Sequence, residues 1–289
     1  MRAIWLREFG PPSVLVAGEA DEPAGEVVID VRYANITFVE TQVRAGRGPF
    51  AVQLPMIPGN GVGGVVGGRR VIASLGGSGG YAERVAVAAS ALIDVPDGMA
   101  LDDAVALLAD GRTATMLSDA AAVAAGERVL VLAAAGGVGT LLVQLARRAG
   151  ATVVGAVGSE AKRGVVENLG AEAVLYVDAA GPFDVVFDGV GGEIARSAFA
   201  QLARGGRMLS YGLASGTWAG IEAEAAAARG VRLVQPNRDP AALRGYTERA
   251  LAVGLAPVIG QRFALDRAAE AHAAIEARAT TGKTLLEVT

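Results

Sequence analysis

Arg128-Val-Leu-Val-Leu-Ala-Ala-Ala-Gly-Gly-Val-Gly139 runs directly into Thr140-Leu-Leu-Val-Gln-Leu-Ala-Arg-Arg-Ala149. An apolar run bounded by glycines and followed by a 3.6-residue apolar stripe predicts a buried strand over residues 129–133, a tight turn, and a helix over 140–149. The first amides of such a helix have no intrahelical acceptor and carry the positive end of its dipole. Ala135, Gly136, Gly137, Val138 and Gly139 are therefore expected to cradle the diphosphate of a dinucleotide, with no basic side chain needed. Gly136 and Gly139 lack the Cβ atoms that would hold backbone and phosphate apart. Leu142, Leu145, Ala146 and Ala149 supply the apolar stripe.

A second glycine run is a decoy. Gly59, Gly61 and Gly64 satisfy the G-x-G-x-x-G string letter for letter. They follow Leu54-Pro-Met-Ile-Pro58 and lead into β-like residues, so their role is read as structural. Residues 134–139 break the string at Ala134 yet have the strand before and the helix after.

Further strands are predicted at residues 152–157, 173–177, 184–188, 207–211 and 231–235, with helices at 160–169 and 193–203. This alternation predicts a doubly wound parallel sheet. Only Ala179-Ala-Gly-Pro-Phe183 joins Asp178 to Asp184, where a parallel crossover normally takes a dozen residues. An extended crossover is expected there in place of a helix. Residues 27–31, 71–73, 81–87 and 92–95 are short β-like runs separated by Gly and Pro turns, as in a compact, largely antiparallel barrel. The tail from about residue 251 holds one helix and a strand at 284–288 that is expected to return to the barrel. The domains are placed at 1–112 with 249–289, and at 113–248.

Composition narrows the function. The 289 residues are 52% hydrophobic with a formal charge of −4, at a mean hydropathy of +0.39 and a pI near 5.2. The acidic balance argues against nucleic acid. No apolar stretch approaches the ~20 residues a membrane span needs. Met1–Arg7 shows no secretory pattern, so a cytoplasmic protein is expected. Zero cysteines and one histidine, His272, leave no zinc ligand set. His272 sits in an alanine-rich helical pattern and is given a surface or packing role. Tyr81 and Glu83 are expected to fix the barrel.

Ordered motifs then carry a resemblance over nearly the whole chain: Ile36-Thr-Phe-Val-Glu-Thr-Gln-Val-Arg-Ala-Gly46, Ile57-Pro-Gly59, Gly80-Tyr-Ala-Glu83, Gly111-Arg-Thr-Ala114, the turn with Gln144-Leu-Ala, Leu169-Gly-Ala171, Asp188-Gly-Val-Gly191, Gly205-Gly-Arg207, Tyr211-Gly-Leu-Ala-Ser-Gly216 and Gly282-Lys283. The chain resembles the zinc-independent quinone oxidoreductases of the medium-chain dehydrogenase/reductase superfamily. The resemblance implies an α/β protein, a GroES-like β-barrel plus a Rossmann domain, and a homodimer joined at edge strands near residues 231–235. It implies Thr37, Thr113, Tyr211, Gly212 and Leu213 around a nicotinamide, with Thr37 where many members carry asparagine. For Thr113 the alternative is a helix cap, and for Tyr211 a space-filling role. The barrel is shortened between Gly64 and Arg69 relative to the family pattern.

The tip of the second strand is Val157-Gly158-Ser159, with no carboxylate to bind ribose hydroxyls. Lys162 and Arg278 stand where the family's NADPH-binding members place basic residues, which implies NADPH. Asp188 closes another strand-to-helix turn and is expected to contact the cofactor. The expected substrate is a quinone or an enone. A dedicated biosynthetic enoyl reductase and an NADPH-binding protein without turnover remain open.

Overall fold

The computed structural model describes residues 1–49 and 51–289. In chain order the elements begin with β1 (Arg2–Leu6), β2 (Leu15–Glu19), β3 (Val27–Ile36), α1 (Phe38–Arg44), β4 (Gly61–Val66) and β5 (Arg69–Ser74). Next come β6 (Arg84–Val87), β7 (Ile93–Asp94), α2 (Leu101–Ala121), β8 (Arg128–Leu132), α3 (Gly137–Arg148) and β9 (Thr152–Val157). The middle of the chain gives α4 (Arg163–Asn168), β10 (Glu172–Leu175), β11 (Phe183–Asp188), α5 (Gly192–Ala200), β12 (Leu202–Ser210) and α6 (Ala223–Ala228). The last are β13 (Arg232–Leu233), α7 (Pro240–Ala252), β14 (Ile259–Ala264), α8 (Ala268–Glu276) and β15 (Lys283–Glu287). They divide into two compact units, residues 1–109 with 250–289, and residues 110–249.

In the first unit the sheet runs β14-β15-β3-β4-β5-β7, with β6 also on β3, and β1 pairs separately with β2. Pairing is antiparallel throughout except for β14 and β15, which are parallel and joined by α8. The tail strand returns to this sheet by pairing with β3. The core is built on Ile4, Leu6, Ile29, Val31, Val62, Val71, Tyr81 and Leu286, all within 1% of full burial. The shortened stretch before Arg69 is a two-residue hairpin: Val66 pairs with Arg69, and Gly67 and Gly68 between them have φ of 54° and 84°. Two positive φ angles make the type I′ turn that matches strand twist, and glycine supplies both without strain.

In the second unit the six strands are all parallel, in the order β10-β9-β8-β11-β12-β13. Counted from β8 this is 3-2-1-4-5-6, the Rossmann order, with its switch point between β8 and β11. Val129, Leu130, Val131, Val185, Val186 and Phe187 are all within 1% of full burial, the signature of strands covered on both faces.

Three expectations shift. The long α2 spans Leu101–Ala121, where no element was expected. The fifth strand begins earlier, at Leu202, with a register break opposite β11. The last strand shrinks to Arg232–Leu233. The crossover after Asp178 is helix-free apart from one 3-10 turn at Tyr176–Asp178, and the strand before it stops at Leu175 rather than residue 177.

Candidate functional site

β8 delivers the chain to its C-terminal edge, and Ala133 there turns it with φ of 54°. The Gly136 N–H donates to the Ala133 carbonyl at 2.9 Å, and the Gly136 carbonyl accepts the Thr140 N–H at 2.9 Å. A Cβ on Gly139 would lie 2.2 Å from the Ala133 oxygen and 2.9 Å from the Ala134 Cα, and one on Gly136 3.2 Å from the Ala133 oxygen. Position 139 therefore admits only glycine, and position 136 leaves a side chain little room. Among the described residues no acceptor meets the N–H groups of Gly137, Val138 and Gly139, and Gly136, Gly137 and Val138 are only half-buried. Three open amides at a helix start fit a diphosphate.

At the tip of β9, Gly158 and Ser159 are exposed, and Ser159 precedes the 3-10 turn Glu160–Lys162. Lys162 is half-buried. Glu160, at the start of the same turn, is engaged by Arg163 at 3.3 Å.

The carboxylate of Asp188 is engaged by the protein itself. It is fully buried, and its Oδ1 accepts the N–H groups of Val190 and Gly191, both at 2.8 Å, while Oδ2 accepts the Ser210 hydroxyl at 2.9 Å. Burial raises its pKa against these donors. The carboxylate shapes the turn and ties the ends of β11 and β12 together. Tyr211 follows β12 and donates its N–H to the Asp188 carbonyl at 2.9 Å. A Cβ on Gly189 would sit 2.7 Å from the Tyr211 hydroxyl, and one on Gly212 2.7 Å from the Gly189 carbonyl. Burial, then the charge of Asp188, holds the phenol far above its usual range. It is a neutral hydroxyl at physiological pH, able to donate but not to act as a base. Leu213 is half-buried beside it.

Thr113 lies in the middle of α2, so it caps no helix. Asp110, Arg112 and Thr113 form a half-buried window between the fully buried stretches 104–109 and 114–117.

In the first unit, Thr37 is the N-cap of α1 and shares a capping box with Glu40. Arg278, at φ 57°, lays its guanidinium 4.6 Å from the ring centre of Phe38, so Arg278 is brought beside the residue that follows Thr37. His272 is fully buried, bonds Tyr81 through Nε2 at 2.9 Å, and is pushed down to about 3 by burial. Its role is packing. Glu83 holds Arg2 at 2.7 Å.

Two residues escaped the sequence reading. Glu40 carried a signal, the Thr-x-x-Glu capping pattern in Thr37-Phe-Val-Glu40. Ser210 carried none, because a serine ending a strand names no partner.

A family model described as zinc-binding dehydrogenase matches residues 165–286. A probable quinone oxidoreductase of Schizosaccharomyces pombe is 34% identical, over 98% of this chain and 96% of that protein. The quinone oxidoreductase of Homo sapiens is 31% identical, over 99% and 97%. The crystal structure of the Thermus thermophilus quinone oxidoreductase, also solved with NADPH, superposes with a TM-score of 0.89 at 33% identity, covering 99% of this chain and 100% of that one. The two units are accordingly a GroES-like domain and a Rossmann domain. With a full-length relative above 30% identity and the same architecture, the chain belongs to the quinone oxidoreductase family of the medium-chain dehydrogenase/reductase superfamily.

Proposed function

We propose that this protein is an NADPH-dependent reductase that transfers a hydride to a quinone or to a conjugated C=C bond without a metal ion. The observation that carries the reading is the start of α3, three amides without acceptors among the described residues, on a turn that Gly139 alone can close. Bound there, the nicotinamide cofactor supplies the hydride. Gly158 and Ser159 leave room for a 2′-phosphate, and Lys162 and Arg278 supply cations for it. The NADPH complex of the Thermus thermophilus relative supports the same choice. Thr37, Thr113 and the neutral hydroxyl of Tyr211 orient the reacting ring and its acceptor, where holding geometry is most of the catalysis.

Zero cysteines and a histidine committed to Tyr81 support the metal-free reading despite the name of the matching family model. The exposed edge of β13, at Arg232 and Leu233, is the proposed seam of a homodimer, and the protein is taken to be cytoplasmic. The tight Gly67-Gly68 hairpin favours a second reading, a reductase specialised for one enoyl substrate.

Steady-state oxidation of NADPH and NADH against a panel of quinones and enones tests the proposal. Turnover with NADPH at least tenfold more efficient than with NADH is expected, and Lys162→Ala should erase most of that preference, a loss of roughly 10- to 100-fold for a hydrogen bond to a charged group. Tight NADPH binding with no oxidation by any acceptor would sink the enzyme reading and leave a nucleotide-binding protein.

A further inference from the structure

The barrel unit hides a carboxylate that the proposed chemistry does not use. Glu40 is 7% exposed and Lys283 3% exposed. Glu40 Oε2 accepts the backbone N–H of Thr37, and Oε1 accepts that of Asn60 at 2.8 Å. In the same capping box the Thr37 side chain meets the Glu40 backbone N–H. Burial raises the pKa of the carboxyl, and its backbone donors and the Lys283 charge oppose that rise. One side chain thus clamps the residue after β3 to the residue before β4.

Capping alone does not require this arrangement. A capping-box glutamate works on the surface, in water, with no counter-ion. Burying a carboxylate and an ammonium costs several kcal/mol per ion before their attraction offsets it. The arrangement instead fixes Thr37 from two sides, its N–H on the Glu40 carboxylate and its side chain against the Glu40 backbone N–H. The titratable groups interacting with Glu40 are the Lys283 ammonium on β15 and the neutral phenol of Tyr81, itself bonded to His272 on α8.

We infer that Glu40, with Lys283 as its counter-charge, is a positioning residue for hydride transfer, holding the Thr37 hydroxyl where the reacting substrate meets it. The inference rests on the reading of Thr37 given above.

Glu40→Gln is the probe. A carboxamide has one acceptor oxygen, so one of the two backbone donors must then face an NH₂ group, while Lys283 loses its counter-charge. Amide hydrogen exchange on the cofactor-free protein reads the clamp directly. Protection of the Thr37 and Asn60 amides should drop at least tenfold in Glu40→Gln while β8 and β11 keep theirs, and unchanged protection would overturn the clamp whatever the enzyme does. Turnover reads the purpose. With saturating NADPH and quinone, Glu40→Gln should lower kcat roughly 10- to 100-fold, the scale of a misplaced reacting group, with the KM for NADPH within twofold. In a Thr37→Ala background the same substitution should change kcat less than twofold, because the two act as a unit. Full multiplicative losses would make Glu40 merely structural, and an unaffected Thr37→Ala would end the positioning role. Should Glu40→Gln fail to fold, Lys283→Met, with Lys283→Arg as the conservative rescue, reads the same coupling. An NADPH reductase that is inactive as wild type fails the functional reading, whereas loss of coupling in an active one fails this inference alone.

Discussion

Residues 59–64 and 136–139 are both glycine-rich runs, and at Gly64 and Gly139 a side chain is forbidden with equal severity. A Cβ on Gly64 would lie 2.1 Å from the Asp30 carbonyl oxygen, and one on Gly139 2.2 Å from that of Ala133. What separates them is the fate of the amides. The strand β4 is paired on both sides, with β3 and with β5, so its ladder consumes its N–H groups in folding. The start of α3 leaves three amides without acceptors. Close packing is a property both runs share, and only the second keeps the unspent donors that the proposed binding site needs. A glycine pattern thus reports a steric constraint, and function depends on whether the freed backbone is paired.

The largest effect that can break this contrast is Gly139→Ala. The substitution must displace the turn, and NADPH affinity in the folded protein should fall at least ~100-fold, the penalty for losing a charge-assisted contact set; calorimetric titration at near-normal affinity would refute the role of α3. Gly64→Ala should do the reverse, destabilising the protein by roughly 2–4 kcal/mol while the molecules that remain folded bind NADPH normally. Thermal melts beside titrations separate the two, and an affinity loss with Gly64→Ala would erase the distinction. Gly136→Ala is intermediate, since its Cβ meets the Ala133 oxygen at 3.2 Å. A weakening of about tenfold is expected, one lost contact's worth, and a Gly136→Ala protein as damaged as Gly139→Ala would show that the turn has no give.

The smallest effect is on pH. His272 is held down to about 3 in the folded state against about 6.5 unfolded, so the unfolded chain binds the extra proton. Its contribution is complete above pH 6.5 and is lost as pH falls toward 3, at no more than about 1.4 kcal/mol per unit. Glu40 and Asp188, raised by burial, act in the opposite sense. In His272→Gln the melting temperature should fall less steeply between pH 6.5 and 4; an unchanged slope would assign the acid sensitivity to other groups.

Which parts were legible follows from how each residue is buried. The β8-turn-α3 unit was readable because α3 has one apolar stripe, giving a clear 3.6-residue period. The helix α2 was missed for the opposite reason. Its residues 104–109 and 114–117 are buried on all sides, so Leu, Ala and Val occur all round it and no period survives. Lost with it was the setting of Thr113, whose threonine suggests a cap only where a helix begins. The role of Asp188 was unreadable because a carboxylate after a strand looks the same whether it faces a ligand or two backbone amides, and only Ser210, 22 residues on, decides. Glu40 could have been found, since its capping pattern is local, but the Lys283 that makes it unusual lies at the far end of the chain.

The link between β10 and β11 has almost no spare length. Register puts Leu175 three strands away from β11 and about six residues beyond Phe183 along it, roughly 24 Å from strand spacing and rise, against at most ~28 Å of extended chain. A taut tether of this kind couples the two sides of the switch point: β10 cannot peel away without pulling on β11. The six-stranded parallel sheet should therefore open as a single cooperative block, with amides on both sides of β8 exchanging at one common rate.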